Sequence, residues 1–557
     1  MIHHVEVQVL ILLLVAAFVG MGARRFKLPY TLALVVAGLV LGGLHLDVLH
    51  DVELNADLLL LLLLPALLFE AAFHIDVREF RRNAVPIITL AVPGVVLASC
   101  ACAGLLYGAL GATGLVEGFG WREAWLFSVV IAATDPVSVL ALFRQLGVGK
   151  RLYLVVEGES LLNDGVAVVL FVIVTGVYGL STGHGAAMPE EASLWSFGLE
   201  TFMRMGVGGA LIGAALGGAF TLLTRQIEDH LIETTLSTLL AYGSFLIAEQ
   251  LHCSGVLSTV FAGIVAGSYG ARYGMSASTR NAVEDFWELA AFLANSFIFL
   301  LVGLELEPWR LWHEGLSIVI AFVAIALARA IAVYVGVPIS NRLSTPLPAA
   351  WSHVLVWGGL RGSLSMVLIL TLPTSFPGRG LLVTLVFGVV GLSLFVQGLT
   401  MGPLLARLGL LEGKVRHDAY ERARATRIMS RRALEELDTL CRENLVDEVV
   451  AKRLRSWYEA RARRAEHDAK AALGSDQIGE QLSETVRRLS EAERHGVREA
   501  EHAEIVDVEI AEQLDREVVL RLTALSEAAG DPEELRKTLD AILGEELVAS
   551  ASDDSLG

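Results

Sequence analysis

Charge is scarce in this sequence of 557 residues: Asp, Glu, Lys and Arg make up 19%, while apolar residues reach 54%. Ordinary soluble domains carry roughly 25% charge, so a single soluble domain is excluded. Cysteine is scarce too. Cys100, Cys102, Cys253 and Cys441 show neither metal-ligand spacing nor a disulfide framework, and they read as small buried hydrophobes. No His-Glu-x-x-His or comparable nucleophile set occurs, so a membrane-embedded hydrolase is not expected. A formal net charge of −18 argues against nucleic acid as a partner.

The apolar residues come in long blocks nearly free of charge. A bilayer core about 30 Å thick needs about 20 apolar residues of helix. Blocks of that kind cover roughly 6–22, 29–46, 57–73, 85–110, 123–143, 152–180, 198–224, 232–250, 255–270, 287–304, 313–339, 351–372 and 380–409. The expectation is an all-α polytopic membrane protein with about 13 transmembrane helices. The first block lacks a basic n-region and a cleavage site, and reads as a retained helix. After Gly413 the composition changes: residues 414–557 hold 23 Lys or Arg and 33 Asp or Glu in 144 positions. Two regions are therefore expected, 1–413 in the membrane and a charged helical tail, 414–557, in water.

Connections between blocks alternate in charge. One set holds 13 basic residues, among them Arg24, Arg25, Lys27, Arg78, Arg81, Arg82, Arg144, Lys150 and Arg151; the other holds Arg122, Arg310 and Arg379. The positive-inside rule places the first set in the cytoplasm, the N-terminus outside and the tail inside. The bilayer is expected to be the cell (inner) membrane.

Ionisable groups at membrane depth mark function by default. Thr134-Asp135-Pro136 breaks the fifth block, because proline removes a backbone donor and disfavours helix at the residue before it. Freed carbonyls are tolerated there only if they line a cavity. Asp135 either faces an ion with the Thr134 hydroxyl or caps the helix half that follows. In the sixth block, Glu157-Gly-Glu159-Ser160-Leu-Leu-Asn163-Asp164 puts Ser160 and Asp164 on one helix face and Asn163 beside it. Hydroxyl, amide and carboxylate oxygens suit a hard cation such as sodium. Arg329, deep in the eleventh block, needs a carboxylate partner; Glu159 is the first candidate and Glu157 the second. Gly358-Gly-Leu-Arg361-Gly in the twelfth block weakens helix around a second arginine. A Pro-interrupted span and a Gly-interrupted span are the signature of inverted repeats with two broken, crossing helices.

Weaker signals are Glu70 and His74, Glu249 and His252, Asn295 and Ser296 as interhelical hydrogen-bonding groups, and Asp285 and Glu288 as helix-start charges or the wall of a cytoplasmic funnel. In the tail, 417–471 and 477–528 read as long helices, with a helix start at Gly530-Asp531-Pro532.

Phe69–Asp76, Ala133-Thr-Asp-Pro-Val137, Gly158-Glu-Ser-Leu-Leu-Asn-Asp-Gly165, Phe292–Phe299 and Gly358–Ser363 together resemble the monovalent cation/proton antiporters of the NhaP and NHE type, over about residues 8–410. The resemblance implies an antiporter fold, a homodimer, and exchange of sodium (or lithium) for protons, one for one, with no cofactor. It implies that Asp164 carries cation or proton, with Thr134, Asp135 and Ser160 at the ion and sodium held at Asp164, Thr134 and Ser160. It assigns Glu159, Asn163 and Arg329, with Arg361 at the second break, to a supporting network. A potassium/proton antiporter and a cation channel are the alternatives; a sensor signalling through the tail is a further rival.

Overall fold

The computed structural model describes most of residues 2–472 and scattered positions beyond; 27–29, 45–58, 181–187, 190, 226–228, 272–274, 276, 306–307, 411, 443–444 and most of 473–557 are outside the described residues. Among the described residues every regular element is helical. Two compact units emerge, Met1–Leu410 and Leu411–Gly557.

In the first unit, α1 (Ile2–Phe26), α2 (Tyr30–Gly43) and α3 (Leu64–Phe73) are followed by the short amphipathic α4 (Val77–Arg82). Asp76 caps α4 by accepting from the Arg78 amide at 2.8 Å. Then come α5 (Ala84–Gly111) and two half-helices, α6 (Trp121–Val130) and α7 (Val137–Leu146). They are followed by α8 (Lys150–Val177), α9 (Leu194–Thr224), α10 (His230–Gln250) and α11 (Gly255–Gly270). The unit closes with α12 (Ala277–Glu305), α13 (Pro308–His313), α14 (Gly315–Leu343), the half-helices α15 (Ala349–Trp357) and α16 (Ser363–Leu370), and α17 (Arg379–Arg407). The described part of each apolar block falls mainly on one of these helices or on one of the two interrupted pairs. Where Pro93 enters α5, the backbone widens to a π turn over Leu90–Gly94, because the proline ring excludes the regular bond to the preceding turn.

Helix α8 is the hub. It packs against α5, α6, α9 and α11, and buries Leu152, Val155, Val166, Val169 and Phe171 together with its polar residues. Around α11 the helices approach at backbone distance through glycines. A Cβ on Gly213 of α9 would lie 2.0 Å from the Ser258 carbonyl oxygen, and one on Gly267 of α11 would lie 1.9 Å from that of Phe73 in α3. Without a hydrophobic driving force in lipid, such close packing is what holds membrane helices together. The contact of α11 with α8 differs: a Cβ on Gly165 would meet the Leu257 side chain first, not backbone, and Leu162 packs in the same cluster.

In the second unit, α18 (Glu412–Arg442) and α19 (Glu448–Ala472) pack side by side. Ala423, Ser430 and Leu437, seven residues apart, are buried, as are Ala451 and Ala465. This is the heptad seam of a two-helix hairpin. Arg427 meets Glu466 at 3.9 Å and Arg455 meets Asp438, an antiparallel register. The single helix expected over 417–471 is therefore two helices, folded back so that one apolar seam covers the other. The second long helix, 477–528, and the Gly530–Pro532 start lie largely or wholly outside the described residues.

Candidate ion site

The two interruptions touch. The chain between α6 and α7 and the chain between α15 and α16 meet where the Asp135 amide donates to the Leu360 carbonyl at 2.8 Å. Gly362 allows this approach, since a Cβ there would sit 2.1 Å from that of Asp135. Each break is closed by a charge. The Asp135 carboxylate accepts from the Val137 amide at 2.9 Å and caps α7. The Arg361 guanidinium donates to the carbonyls of Ile131 at 2.8 Å and Ala132 at 3.0 Å, satisfying the C-terminal end of α6. Its own amide donates to the Ser393 hydroxyl of α17 at 3.2 Å.

Helix α8 runs beside this crossing. The Ser160 hydroxyl donates to the Thr134 carbonyl at 2.5 Å and lies 3.2 Å from the Thr134 hydroxyl, to which the Asn163 amide also donates at 3.0 Å. The broken segment is thereby stitched to α8 one turn before Asp164. The Asp164 Oδ1 is buried and makes no hydrogen bond. On the far side of the same helix, Arg329 of α14 grips Glu159 with two nitrogens, each at 2.8 Å, and donates to the Leu355 carbonyl of α15 at 3.3 Å. Glu159 is 2% exposed and Arg329 5%, a buried bidentate pair.

A cavity of about 350 Å³ reaches this crossing, lined by Thr134, Asp135, Ser160 and Asp164 at its depth. Its wall continues past Glu157 and Tyr153 of α8, Glu70 of α3 and Glu288 of α12. Tyr153 and Glu157 lie in the first turns of α8 and Glu70 in the last turn of α3, whereas Glu288 lies near the middle of α12.

The candidate residues thus divide. Thr134, Asp135, Ser160 and Asp164 gather on the cavity. Asn163 lies behind them, Glu159 and Arg329 form a pair to one side, and Arg361 closes the broken helix without lining the cavity. Among the weaker signals, Glu70, Glu288 and Asn295 line the cavity wall; Ser296 bonds Tyr30 at 2.7 Å, and Glu249 accepts from the Gly255 amide at 3.2 Å. Glu157 partners Tyr153, whose hydroxyl donates to it at 3.3 Å. Tyr153 did not stand out in the sequence, and Arg144 counted only among the basic residues of the cytoplasmic connections. The signal was there: 153, 157, 160 and 164 share one helix face.

The geometry has close relatives. The family model for the transmembrane region of sodium/hydrogen exchangers matches residues 9–407. The chain belongs to that family. It is 35% identical over 473 residues to the Na(+)/H(+) antiporter NhaG of Bacillus atrophaeus, covering 82% of this chain and 85% of that one. It is 39% identical over 416 residues to the antiporter ApNhaP of Aphanothece halophytica, 74% and 76% of the two chains. The fold is that of the sodium proton antiporter MjNhaP1 of Methanocaldococcus jannaschii, with a TM-score of 0.58 at 17% identity over 73% of this chain and 99% of that one.

Proposed function

We propose that this membrane protein exchanges sodium for protons, one for one, and that the Asp164 carboxylate takes the two cations by turns. The observation that supports this reading is the Asp164 Oδ1, buried without a hydrogen-bond partner at the end of a cavity, while Glu159 on the same helix is neutralised by Arg329. A bare carboxylate at that depth is costly. It is relieved equally by a proton or by a small cation. Thr134 and Ser160 line the same cavity as Asp164, and their oxygens are of the kind that completes a hard-cation shell.

Coupling follows from charge. The loaded, neutral site crosses the membrane and the empty one is held back, so sodium moving one way obliges a proton to move the other. The two broken helices supply the movable backbone, as inverted repeats do in alternating access. The cavity wall includes Arg144 and Tyr153, beside the connection that holds Lys150 and Arg151, which the positive-inside rule assigns to the cytoplasm; on that reading this state faces inward. The N-terminus then lies outside the cell and the tail inside, and the chain works as a homodimer. No bound cofactor is required.

The test is exchange in proteoliposomes with a trapped pH-sensitive dye, scanned over sodium, lithium and potassium. Sodium and lithium should dissipate the proton gradient, and Asp164→Asn should be silent. Sodium flux that stays pH-dependent in Asp164→Asn would overturn the site. Dominance of potassium would change the cation, and steady current without a proton gradient would make the protein a channel. A membrane-impermeant maleimide should reach Cys441 only in opened cells.

A further inference from the structure

The cavity wall carries five carboxylates among its described residues, Glu70, Asp135, Glu157, Asp164 and Glu288, but a single basic side chain, Arg144. Arg144 belongs to the last turn of α7, the half-helix whose first turn is capped by Asp135. A cation placed in the access route of other cations competes with them. The structure holds it there. Its Nε and Nη2 donate to the Tyr153 hydroxyl at 3.0 and 2.6 Å, and its guanidinium stands 5.4 Å from the centre of the Tyr153 ring. The Tyr153 hydroxyl in turn donates to Glu157 at 3.3 Å. The groups that act on Arg144 are Tyr153 and Glu157 from α8 and Glu70, with its neighbour His74, from α3; Glu288 of α12 and Asp135, just before α7, line the same cavity.

We infer that Arg144 is a tethered counter-cation that sets the apparent affinity for the transported ions by its field, without touching them. This inference rests on the exchange site proposed above. Arg144 stands nine positions along the chain from Asp135, about 14 Å at the helical rise, too far for contact but within reach of a unit charge in a partly screened cavity. The field acts alike on sodium and on the proton, since both are monovalent cations. Removing it tightens both. The apparent KM for sodium then falls at alkaline pH, where protons do not compete, and holds at acid pH, where the two gains cancel. A purely structural role for Arg144 would not produce that split.

The experiment measures sodium KM and maximal rate for the full chain in proteoliposomes at an alkaline and an acid pH. Arg144→Gln should lower KM about threefold at alkaline pH, the scale of one unit charge acting over ~15 Å of wet cavity, with no change at acid pH and none in maximal rate. Arg144→Lys, which keeps the charge but loses the fork on Tyr153, should match the wild type. Glu157→Gln should raise the alkaline KM, and adding Arg144→Gln to it should restore the wild-type value; that pair also decides the matter if Arg144→Gln alone does not fold. An unchanged alkaline KM in Arg144→Gln, an equal change at both pH values, or a lysine variant that behaves as the glutamine one would overturn the inference. Asp164→Asn in the same vesicles reports separately on the exchange site: if it is silent while Arg144→Gln keeps the wild-type KM, only the counter-cation idea falls.

Discussion

Glu159 and Asp164 stand five residues apart on one helix, both at membrane depth, and the fold treats them in opposite ways. Glu159 receives two guanidinium nitrogens at 2.8 Å. Asp164 is left with a buried oxygen that nothing satisfies. A fully paired carboxylate has no free-energy reason to take up an ion, whereas a bare one does. The contrast separates a residue that maintains the bundle from one poised for exchange. It also explains why a helix this central can carry so many polar groups: most of them are already spoken for by Thr134, Arg329 and Tyr153.

The contrast can be broken at its extremes. Asp164→Asn should abolish exchange outright and leave the thermal unfolding temperature in detergent unchanged or higher, because it removes an unrelieved charge; a lowered melting temperature would mean that Asp164 supports the fold instead. Arg329→Ala should act the other way round. It strands a buried carboxylate and should cost about 3–5 kcal/mol of stability, read as early thermal unfolding, and Arg329→Met combined with Glu159→Gln should recover most of the loss. A double variant no more stable than Arg329→Ala would show that the pair is not the source. Gly362→Ala forces a methyl against Asp135 and should slow exchange about tenfold or more by displacing the crossing, with sodium KM and maximal rate measured in vesicles. Ser160→Ala removes one hydrogen bond to Thr134, worth about 1 kcal/mol, and should raise sodium KM about fivefold with the fold intact.

The sequence exposed what was local or out of place. Thr134-Asp135-Pro136 announced a break because proline cannot continue a helix, and Arg329 announced a partner because lipid tolerates no lone guanidinium. It did not say where Arg361 would point. The carbonyls that it satisfies, of Ile131 and Ala132, lie just past the end of α6, some 230 residues earlier, and become acceptors only when the two breaks meet. Arg144 was hidden for a different reason: near a helix end, it is indistinguishable from the arginines that mark the cytoplasmic side. Only the packing of α7 on α8 turns it toward the cavity. The tail misled because mixed charge obscured the seven-residue spacing of Ala423, Ser430 and Leu437, and with it the turn between two helices.

The glycines around α11 have a mechanical meaning. Shear along α3 or α9 would drive backbone into backbone, where repulsion rises steeply and no bond rotation relieves it. Along α8 the contact is made by side chains, Leu257 against Gly165 and Leu162, which can change rotamer. Helix α11 is thus a stator keyed on two faces and left with a bearing surface on the third, and the bearing is turned toward the helix that holds Asp164.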